Sequence, residues 1–139
     1  MIILDTNIIS EMMKLEPDAR VAQWLGEQPV ASLFITTITQ AEILYGLSLL
    51  SDGKRKAALL DTAQSMFNED FAGRILPFDG SAAETYPEIF LERRRAGKTI
   101  NQFDAQIAAI AQSRGAKLAT RNIKDFADCG LDIINPWLA

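Results

Sequence analysis

The stretch Met1-Ile2-Ile3-Leu4-Asp5-Thr6-Asn7 decides the fold, because its bulky apolar run is cut off by an acid and two small polar residues. Such a run is typical of a buried strand that delivers a carboxylate to its carboxyl end. In open parallel sheets, ligands bind at that end of the strands. We therefore expect Asp5 to lie in a functional cleft.

Further apolar runs follow the first and alternate with segments of helical periodicity. The predicted strands are Ile2–Asp5, Ser32–Thr36, Arg74–Phe78, Lys117–Thr120 and Asp132–Ile134. The predicted helices are Asn7–Lys14, Asp18–Gln28, Thr39–Leu50, Lys54–Phe67, Ser81–Ala96 and Asn101–Arg114. This alternation predicts an α/β fold in layers, with helices flanking a mainly parallel central sheet of about five short strands.

Glycine and proline mark where these helices should end or bend. Gly53, Gly97 and Gly115 each follow a helical segment, at the position where glycine commonly ends a helix. Pro87 falls inside Ser81–Ala96, so we expect a kink or a late start of that helix.

Length and composition point to one globular domain spanning residues 1–139. No segment approaches the roughly 18 apolar residues that a membrane span needs, and the N-terminus lacks the pattern of a signal peptide. Cys129 is the only cysteine, which excludes an internal disulfide. These features predict a cytoplasmic protein without membrane attachment.

The composition also restricts the chemistry, because the chain contains no histidine. That excludes Ser-His and Cys-His catalytic pairs and removes the commonest zinc ligand. Catalysis would then depend on carboxylates, which in a cleft usually bind a hard divalent metal ion. The net charge of −4 argues against a nucleic-acid coat protein, but not against an enzyme that approaches phosphates through a metal.

Two further acids have a setting like that of Asp5. Glu42 lies just past the second predicted strand, and Asp104 precedes the apolar segment Ala105–Ala111. We expect each of them in the first turn of a helix.

Each acid also has a purely structural interpretation. Thr39 and Glu42 match a capping box, in which the glutamate reaches back to the amide at the start of the helix. Asn101 and Asp104 form a weaker version of the same device, and Asp5 is suited to be an N-cap.

The functional interpretation rests on the combination of the three acids. All are expected along one edge of the sheet, where apolar neighbours exclude water. Crowded ionised acids repel each other, and a divalent cation relieves that repulsion. Ala108 and Ala111 share a face with Asp104 and would let its helix approach the sheet closely. The predicted catalytic and metal-binding residues are Asp5, Glu42 and Asp104.

More polar residues are expected around the acids: Thr6, Asn7, Thr120, Asn122 and Asp125. Thr120-Arg121-Asn122 ends a short apolar strand, which predicts either a strand-to-helix turn capped by Asn122 or a fourth wall of the pocket. Asp125 either adds a charge to the metal site, through a water molecule, or only caps that turn or pairs with Arg121 or Lys124.

Basic residues form clusters that are usually solvated helix faces. Arg93, Arg94 and Lys98 come just before the helix of Asp104, and Arg121 lies beside the predicted pocket. Both groups are therefore candidates for steering a phosphate backbone.

The segment Ala41–Leu50 is apolar on nearly every side of its predicted helix. Such a helix is either central to the core or covered by a partner. For a domain of this size, a second copy or another protein is a real alternative to burial in the core.

Four motifs occur in order along the chain: Leu4-Asp5-Thr6-Asn7, Ile38-Thr39-Gln40-Ala41-Glu42-Ile43, Asp104-Ala105-Gln106-Ile107-Ala108-Ala109 and Thr120-Arg121-Asn122. Together they make the sequence resemble the PIN-domain family, in particular the VapC- and FitB-type toxin ribonucleases of bacterial type II toxin–antitoxin pairs. The resemblance extends through the closing Asn135-Pro136-Trp137.

The resemblance implies a PIN-like three-layer fold and a Mg²⁺- or Mn²⁺-dependent endoribonuclease that cleaves RNA with a metal-activated water. The metal-binding acids of the family correspond to Asp5, Glu42 and Asp104. Thr6 and Thr120 correspond to positions that shape the pocket. Some members carry an acid where this chain has Asn122, so the fourth metal contact stays open.

The resemblance also implies partners. Such proteins usually form homodimers and are held inactive by an antitoxin whose C-terminal tail lies across the active-site groove. DNA would be contacted only through the antitoxin.

Two other classes compete with this interpretation. A dehalogenase-type phosphatase would need a second aspartate two residues after Asp5, where this chain has Asn7. A phosphotransfer receiver would need an acidic pair at Ile3-Leu4. The other class is a catalytically silent PIN-like module that only binds a partner, and metal-dependent RNA cleavage would exclude it.

Overall fold

Five short parallel strands form the centre of the protein. In the computed structural model, which describes residues 1–139, the strands are β1 (Ile2–Leu4), β2 (Leu33–Thr36), β3 (Ile75–Leu76), β4 (Lys117–Ala119) and β5 (Ile133–Ile134). They lie in the order β3-β2-β1-β4-β5, and every neighbouring pair is parallel. The predicted α/β class and parallel sheet are confirmed.

Helices fill the connections between the strands. They are α1 (Thr6–Met12), α2 (Ala19–Glu27), α3 (Thr37–Ser48), α4 (Lys54–Ser65), α5 (Gly80–Arg95), α6 (Gln102–Ser113) and α7 (Ile123–Phe126). A 3-10 turn at Val30–Ser32 precedes β2, and a π-helical turn at Met66–Asp70 extends α4. None of these helices combines the length and the apolar character that crossing a bilayer requires.

The sheet separates two hydrophobic clusters, because successive side chains of a strand point to opposite faces. Ile3 belongs to the cluster that contains Ile107 of α6, whereas Leu4 belongs to the cluster that contains Ile8 of α1. The apolar run of β1 is therefore buried on both faces, as the helical layers on either side require. This arrangement is the three-layer fold.

The central position of β1 places Asp5 in the middle of the carboxyl edge of the sheet. Ile3 pairs with Phe34 of β2 on one side and with Leu118 of β4 on the other. From β1 the chain builds one half of the sheet through β2 and β3, and then crosses over to build the other half through β4 and β5. Ligands bind α/β sheets at such reversals of strand order.

Three local predictions differ from the structure. Helix α5 begins at Gly80 and continues through Pro87, so the late start is wrong; the side chain of Asp79 caps this helix by accepting the Ala82 amide at 3.0 Å. Gly97 and Gly115 follow α5 and α6 with positive φ angles, as expected, but Gly53 directly precedes α4 instead of ending α3.

The third difference is the start of α3, which begins at Thr37, two residues before the predicted start. The side chain of Thr36 is the N-cap and accepts the Thr39 amide at 3.1 Å. The cap thus comes from the last residue of β2, so the helix follows the strand without a loop.

Candidate active site

Asp5 is the N-cap of α1, as the structural interpretation predicted, and it also lies at the candidate site. Its Oδ1 accepts the Thr6 amide at 2.8 Å and so caps α1, while its Oδ2 accepts the Thr120 hydroxyl at 2.7 Å. The carboxylate is buried, with 4% of the residue exposed. Capping thus holds this acid in one orientation at the carboxyl edge of the sheet.

A polar network joins the loop after β1 to the loop after β4. The amide group of Asn7 donates to Asp5 Oδ2 at 3.3 Å and to Thr120 Oγ1 at 3.2 Å. The backbone amide of Asn122 also donates to Thr120 Oγ1, at 3.1 Å. Thr120 therefore connects the start of α1 to the segment after β4, and its hydroxyl donates a hydrogen bond to Asp5.

Glu42 comes from the second turn of α3, because that helix starts earlier than predicted. Its Oε1 accepts the Thr6 hydroxyl at 2.9 Å, and the same hydroxyl lies 3.0 Å from the hydroxyl of Thr39. The predicted capping box of Thr39 and Glu42 is wrong, since Thr36 caps the helix. Glu42 therefore does not cap the helix; it accepts from Thr6 and lines the same cleft as Asp5.

Asp104 is the third residue of α6, and Asn101 is the N-cap of this helix. Asn101 Oδ1 accepts the Asp104 amide at 2.8 Å, and Asn101 Nδ2 donates to Asp104 Oδ2 at 2.7 Å. The structural interpretation therefore holds in part. Ala108 and Ala111 are fully buried, as expected if α6 packs closely against its neighbours.

One cleft of about 400 Å³ brings the three acids together at the edge of the sheet. Its lining is almost entirely polar: Asp5, Thr6, Asn7, Ser10, Glu11, Lys14, Glu42, Asp104, Arg121, Asn122 and Trp137. None of the seven ion pairs in the structure includes one of the three predicted acids. No cation of the chain therefore forms a direct ion pair with these acids.

Burial and mutual repulsion both act on the acids. Desolvation, together with the charges of Asp5 and Asp125, raises the pKa of Asp104 to about 6. Desolvation, followed by the charge of Asp5, raises the pKa of Glu42. The pKa of Asp5 is also raised by desolvation, although its hydrogen bonds with Thr120 and Thr6 oppose the shift. Each acid would be stabilised by a nearby cation.

The donor set fits a hard divalent ion, since it consists of carboxylate, hydroxyl and amide oxygens. The carboxylates are not gathered into a ready-made cluster of three ligands around one point. All three accept hydrogen bonds from the protein: Asp5 from Thr6 and Thr120, Glu42 from Thr6, and Asp104 from Asn101. Mg²⁺ suits this arrangement, because it retains several waters and needs few direct carboxylate ligands.

A family model for the PIN domain matches residues 2–130 of the chain. The chain belongs to the PIN-domain family. This PIN domain is 41% identical over 137 residues to the VapC ribonuclease Y4jK of Sinorhizobium fredii, covering 99% of this chain and 98% of that protein. It is 38% identical over 137 residues to toxin FitB of Neisseria gonorrhoeae, covering 99% of each. The crystal structure of FitAcB from Neisseria gonorrhoeae aligns with a TM-score of 0.94 and 37% identity, covering 100% of both chains.

The fourth wall of the cleft in this PIN domain contains Asn122 but not Asp125. Asn122 lines the cleft and stands at the N-cap of α7, although its side chain makes no capping hydrogen bond. Asp125 is exposed and forms no ion pair with Arg121 or Lys124. Its charge nevertheless raises the pKa of Asp5 and Asp104.

The assignment of Arg93 to RNA steering is wrong, because its side chain is buried inside the PIN domain. The guanidinium donates to the carbonyls of Lys124 at 3.0 Å and Ala127 at 2.8 Å, and to that of Thr99. All its donating groups but Nε are used within the protein. Arg93 is therefore a structural brace.

The other basic candidates differ in their relation to the cleft. Arg94 and Lys98 are exposed but line a separate groove, and Lys98 pairs with Asp128 at 2.7 Å. Arg121 lies in the cleft itself.

The sequence interpretation missed four residues that line the cleft: Ser10, Glu11, Lys14 and Trp137. Counted from Asn7, Ser10 and Glu11 are at i+3 and i+4 on one face of α1, and Lys14, at i+7, follows the end of that helix. This spacing is visible in the sequence, so these polar residues could have been predicted to face the same side as Asn7. Trp137 has no comparable signal, because it reaches the cleft only through the return of the C-terminal segment after β5.

Proposed function

We propose that this PIN domain is an endoribonuclease that depends on Mg²⁺ or Mn²⁺ and serves as the toxin of a type II toxin–antitoxin pair. The observation that carries the proposal is the cleft, where Asp5, Glu42 and Asp104 meet without a cationic partner. The naming of its relatives as a ribonuclease and a toxin supports the same conclusion.

The acids would hold the metal, and the surrounding polar groups would hold the acids. A divalent ion supplies a water of lowered pKa and stabilises charge on the phosphoryl oxygens. Thr6 fixes Glu42, Thr120 fixes Asp5, and Asn101 fixes Asp104, each by a hydrogen bond to a carboxylate oxygen. Asn7 and Asn122 would shape the cleft. Asp125 does not line the cleft, so it would act on the metal site only through its charge.

The RNA backbone would be drawn to the cleft by the few cations near it. Arg121 would contact the cleaved strand, and its position in the lining of the cleft supports this role. Arg94 and Lys98 would contact only flanking RNA, because their groove lies elsewhere on the surface. An RNA substrate and a single free, buried cysteine are both consistent with action in the cytoplasm.

The outer face of α3 is the proposed contact for a second copy or an antitoxin. Tyr45 and Leu49 are 66% and 69% exposed, so the core does not cover this side of the helix. A groove of about 300 Å³ lies beside it and shares Glu42 with the cleft, which would let a bound segment reach the acids. DNA would be bound only through the antitoxin.

The deciding experiment is cleavage of RNA by the purified protein with Mg²⁺ or Mn²⁺, with excess EDTA, and after the substitution Asp5→Asn. We expect metal-dependent cleavage that Asp5→Asn reduces by at least about a hundredfold, since the metal's charge stabilisation would be lost. Asp61→Asn is the matched control, because Asp61 is an exposed acid of α4 outside the cleft. Full activity in EDTA contradicts the metal mechanism, and inertness under all conditions favours a binding module.

A further inference from the structure

Arg121 is the only cation of the cleft without an acidic partner. The lining holds four carboxylates and two cations, Lys14 and Arg121. Lys14 is neutralised by Glu11, with 2.9 Å between Nζ and Oε1. The guanidinium of Arg121 donates no hydrogen bond to the protein and joins no ion pair. All its donors are available to a ligand, although acids line the same cleft.

The indole of Trp137 holds this guanidinium in place. The Arg121 Cζ lies 5.1 Å from the centre of the Trp137 ring, within the range of a cation–π contact. Stacking uses the face of the guanidinium and leaves its edge, where the N–H groups point, free for a planar or tetrahedral anion. The contact therefore orders the side chain without consuming its donors.

Both ends of the arrangement are anchored. The backbone amide of Arg121 donates to Asn7 Oδ1 at 3.4 Å, which ties it to the network around Asp5. Trp137 is buried in the core cluster of α1 and α2, and its amide donates to Asn135 Oδ1 at 3.0 Å. The indole is thus a rigid support, and Arg121 has less rotamer entropy to lose on binding.

We propose that Arg121, supported by Trp137, is the phosphate clamp that seats single-stranded RNA across the acidic cleft. The inference rests on the proposed function; it gives Arg121 the specific role of binding a phosphate and adds Trp137 as the residue that positions it. An acidic cleft repels a polyanion, so one ordered, unpaired guanidinium at its rim provides the attraction that the carboxylates oppose. Trp137 acts through Arg121 and is a positioning residue.

The test measures binding of a fluorescently labelled single-stranded RNA to the full chain in EDTA, where no cleavage is expected, over a series of salt concentrations. Arg121→Gln should weaken binding about tenfold and lower the slope of log affinity against log salt by about 0.7, the value for one phosphate contact with a single strand. Arg121→Lys should keep the slope, because it keeps the charge, but lose about threefold in affinity.

The support is tested by a second pair of variants. Trp137→Leu should weaken binding about threefold through loss of the cation–π contact, and Trp137→Phe should restore most of it. Arg20→Gln is the control for net charge, since Arg20 is exposed and does not line the cleft. If Trp137→Leu does not fold, Trp137→Phe and the two Arg121 variants still decide the question.

Three outcomes overturn the inference. The first is that Arg121→Gln matches Arg20→Gln in affinity and salt slope, and the second is that Trp137→Leu folds and binds like the wild type. Wild-type protein that cleaves RNA with Mg²⁺ but does not bind it in EDTA is the third, because the metal alone would then seat the strand. Binding through Arg121 without any metal-dependent cleavage contradicts the proposed function and leaves the clamp intact.

Discussion

At the scale of single residues, the cleft holds three acids close together although their negative charges repel each other. Asp104 shows this most clearly, because desolvation and the charges of Asp5 and Asp125 raise its pKa to about 6. The fold tolerates the repulsion through hydrogen bonds that fix each carboxylate. Without a bound cation, the fold with all three crowded acids should be less stable than the same fold with one of these charges removed.

Asp104→Asn is therefore expected to abolish RNA cleavage and to raise the melting temperature of the metal-free protein at pH 7. Asparagine can keep the hydrogen bond from Asn101 while removing the charge that Asp5 opposes. Thermal unfolding in EDTA, measured beside cleavage in Mg²⁺, checks both effects. A variant that loses its folded state would assign Asp104 to capping alone.

The stability gain of Asp104→Asn should depend on pH, and its sign follows from the raised pKa of Asp104. The folded state binds the proton more tightly than the unfolded chain, so the metal-free wild type loses stability as the pH rises from about 4 to about 6. The variant lacks this titration. We expect its advantage at pH 7 to disappear near pH 4, in melting curves recorded in EDTA. An advantage of the same size at both values would contradict the electrostatic explanation.

At the scale of elements, one buried side chain of α5 connects two segments that adjoin the site. Arg93 near the end of α5 binds the carbonyl of Thr99, which precedes α6 and Asp104. It also binds the carbonyls of Lys124 and Ala127, in and directly after α7. One buried guanidinium thus holds together the two connections that flank the fourth wall of the cleft.

Arg93→Ala should lower the free energy of unfolding by about 2–4 kcal/mol, because it removes a buried guanidinium and leaves three partly buried carbonyls without that donor. Arg94→Ala, at the exposed neighbouring position, should change it by less than about 0.5 kcal/mol. Urea unfolding followed by circular dichroism compares the two variants. Equal effects would mean that the contacts of Arg93 contribute little.

At the scale of the whole molecule, the domain leaves one helix incompletely covered. The inner face of α3 contributes Ile43 to the core, while Tyr45 and Leu49 remain largely exposed on the outer face. Glu42 lies on the same helix and faces the cleft. A partner on α3 would therefore bind beside the acids.

Leu49→Glu is expected to weaken self-association or antitoxin binding at least about tenfold while leaving RNA cleavage by the free protein within about twofold, since an interfacial charge without a partner is costly. Analytical ultracentrifugation and co-purification with the antitoxin measure the first effect. Leu15→Glu is a control, because Leu15 is fully exposed outside α3. Unchanged assembly in Leu49→Glu would remove α3 from the interface.

The sequence by itself determined the α/β class and the parallel arrangement of the strands, and it predicted chemistry based on carboxylates. Apolar runs that end in polar residues identify strands locally, and parallel strands place their carboxyl ends along one edge. Asp5, Glu42 and Asp104 could therefore be grouped before any contact was known. The absence of histidine restricted the candidate chemistry further, because composition alone excludes catalytic pairs that contain histidine.

Only the tertiary structure decided which charged side chains are buried, paired or free. Arg93 and Arg94 are adjacent in the chain, yet one is buried against carbonyls more than 30 residues away and the other is exposed. The guanidinium of Arg121 contacts the ring of Trp137, and the charge of Asp5 contributes to the raised pKa of Asp104. Local periodicity carries no information about such pairs, because distant segments meet only when the whole core packs and the helices cross the sheet in one register.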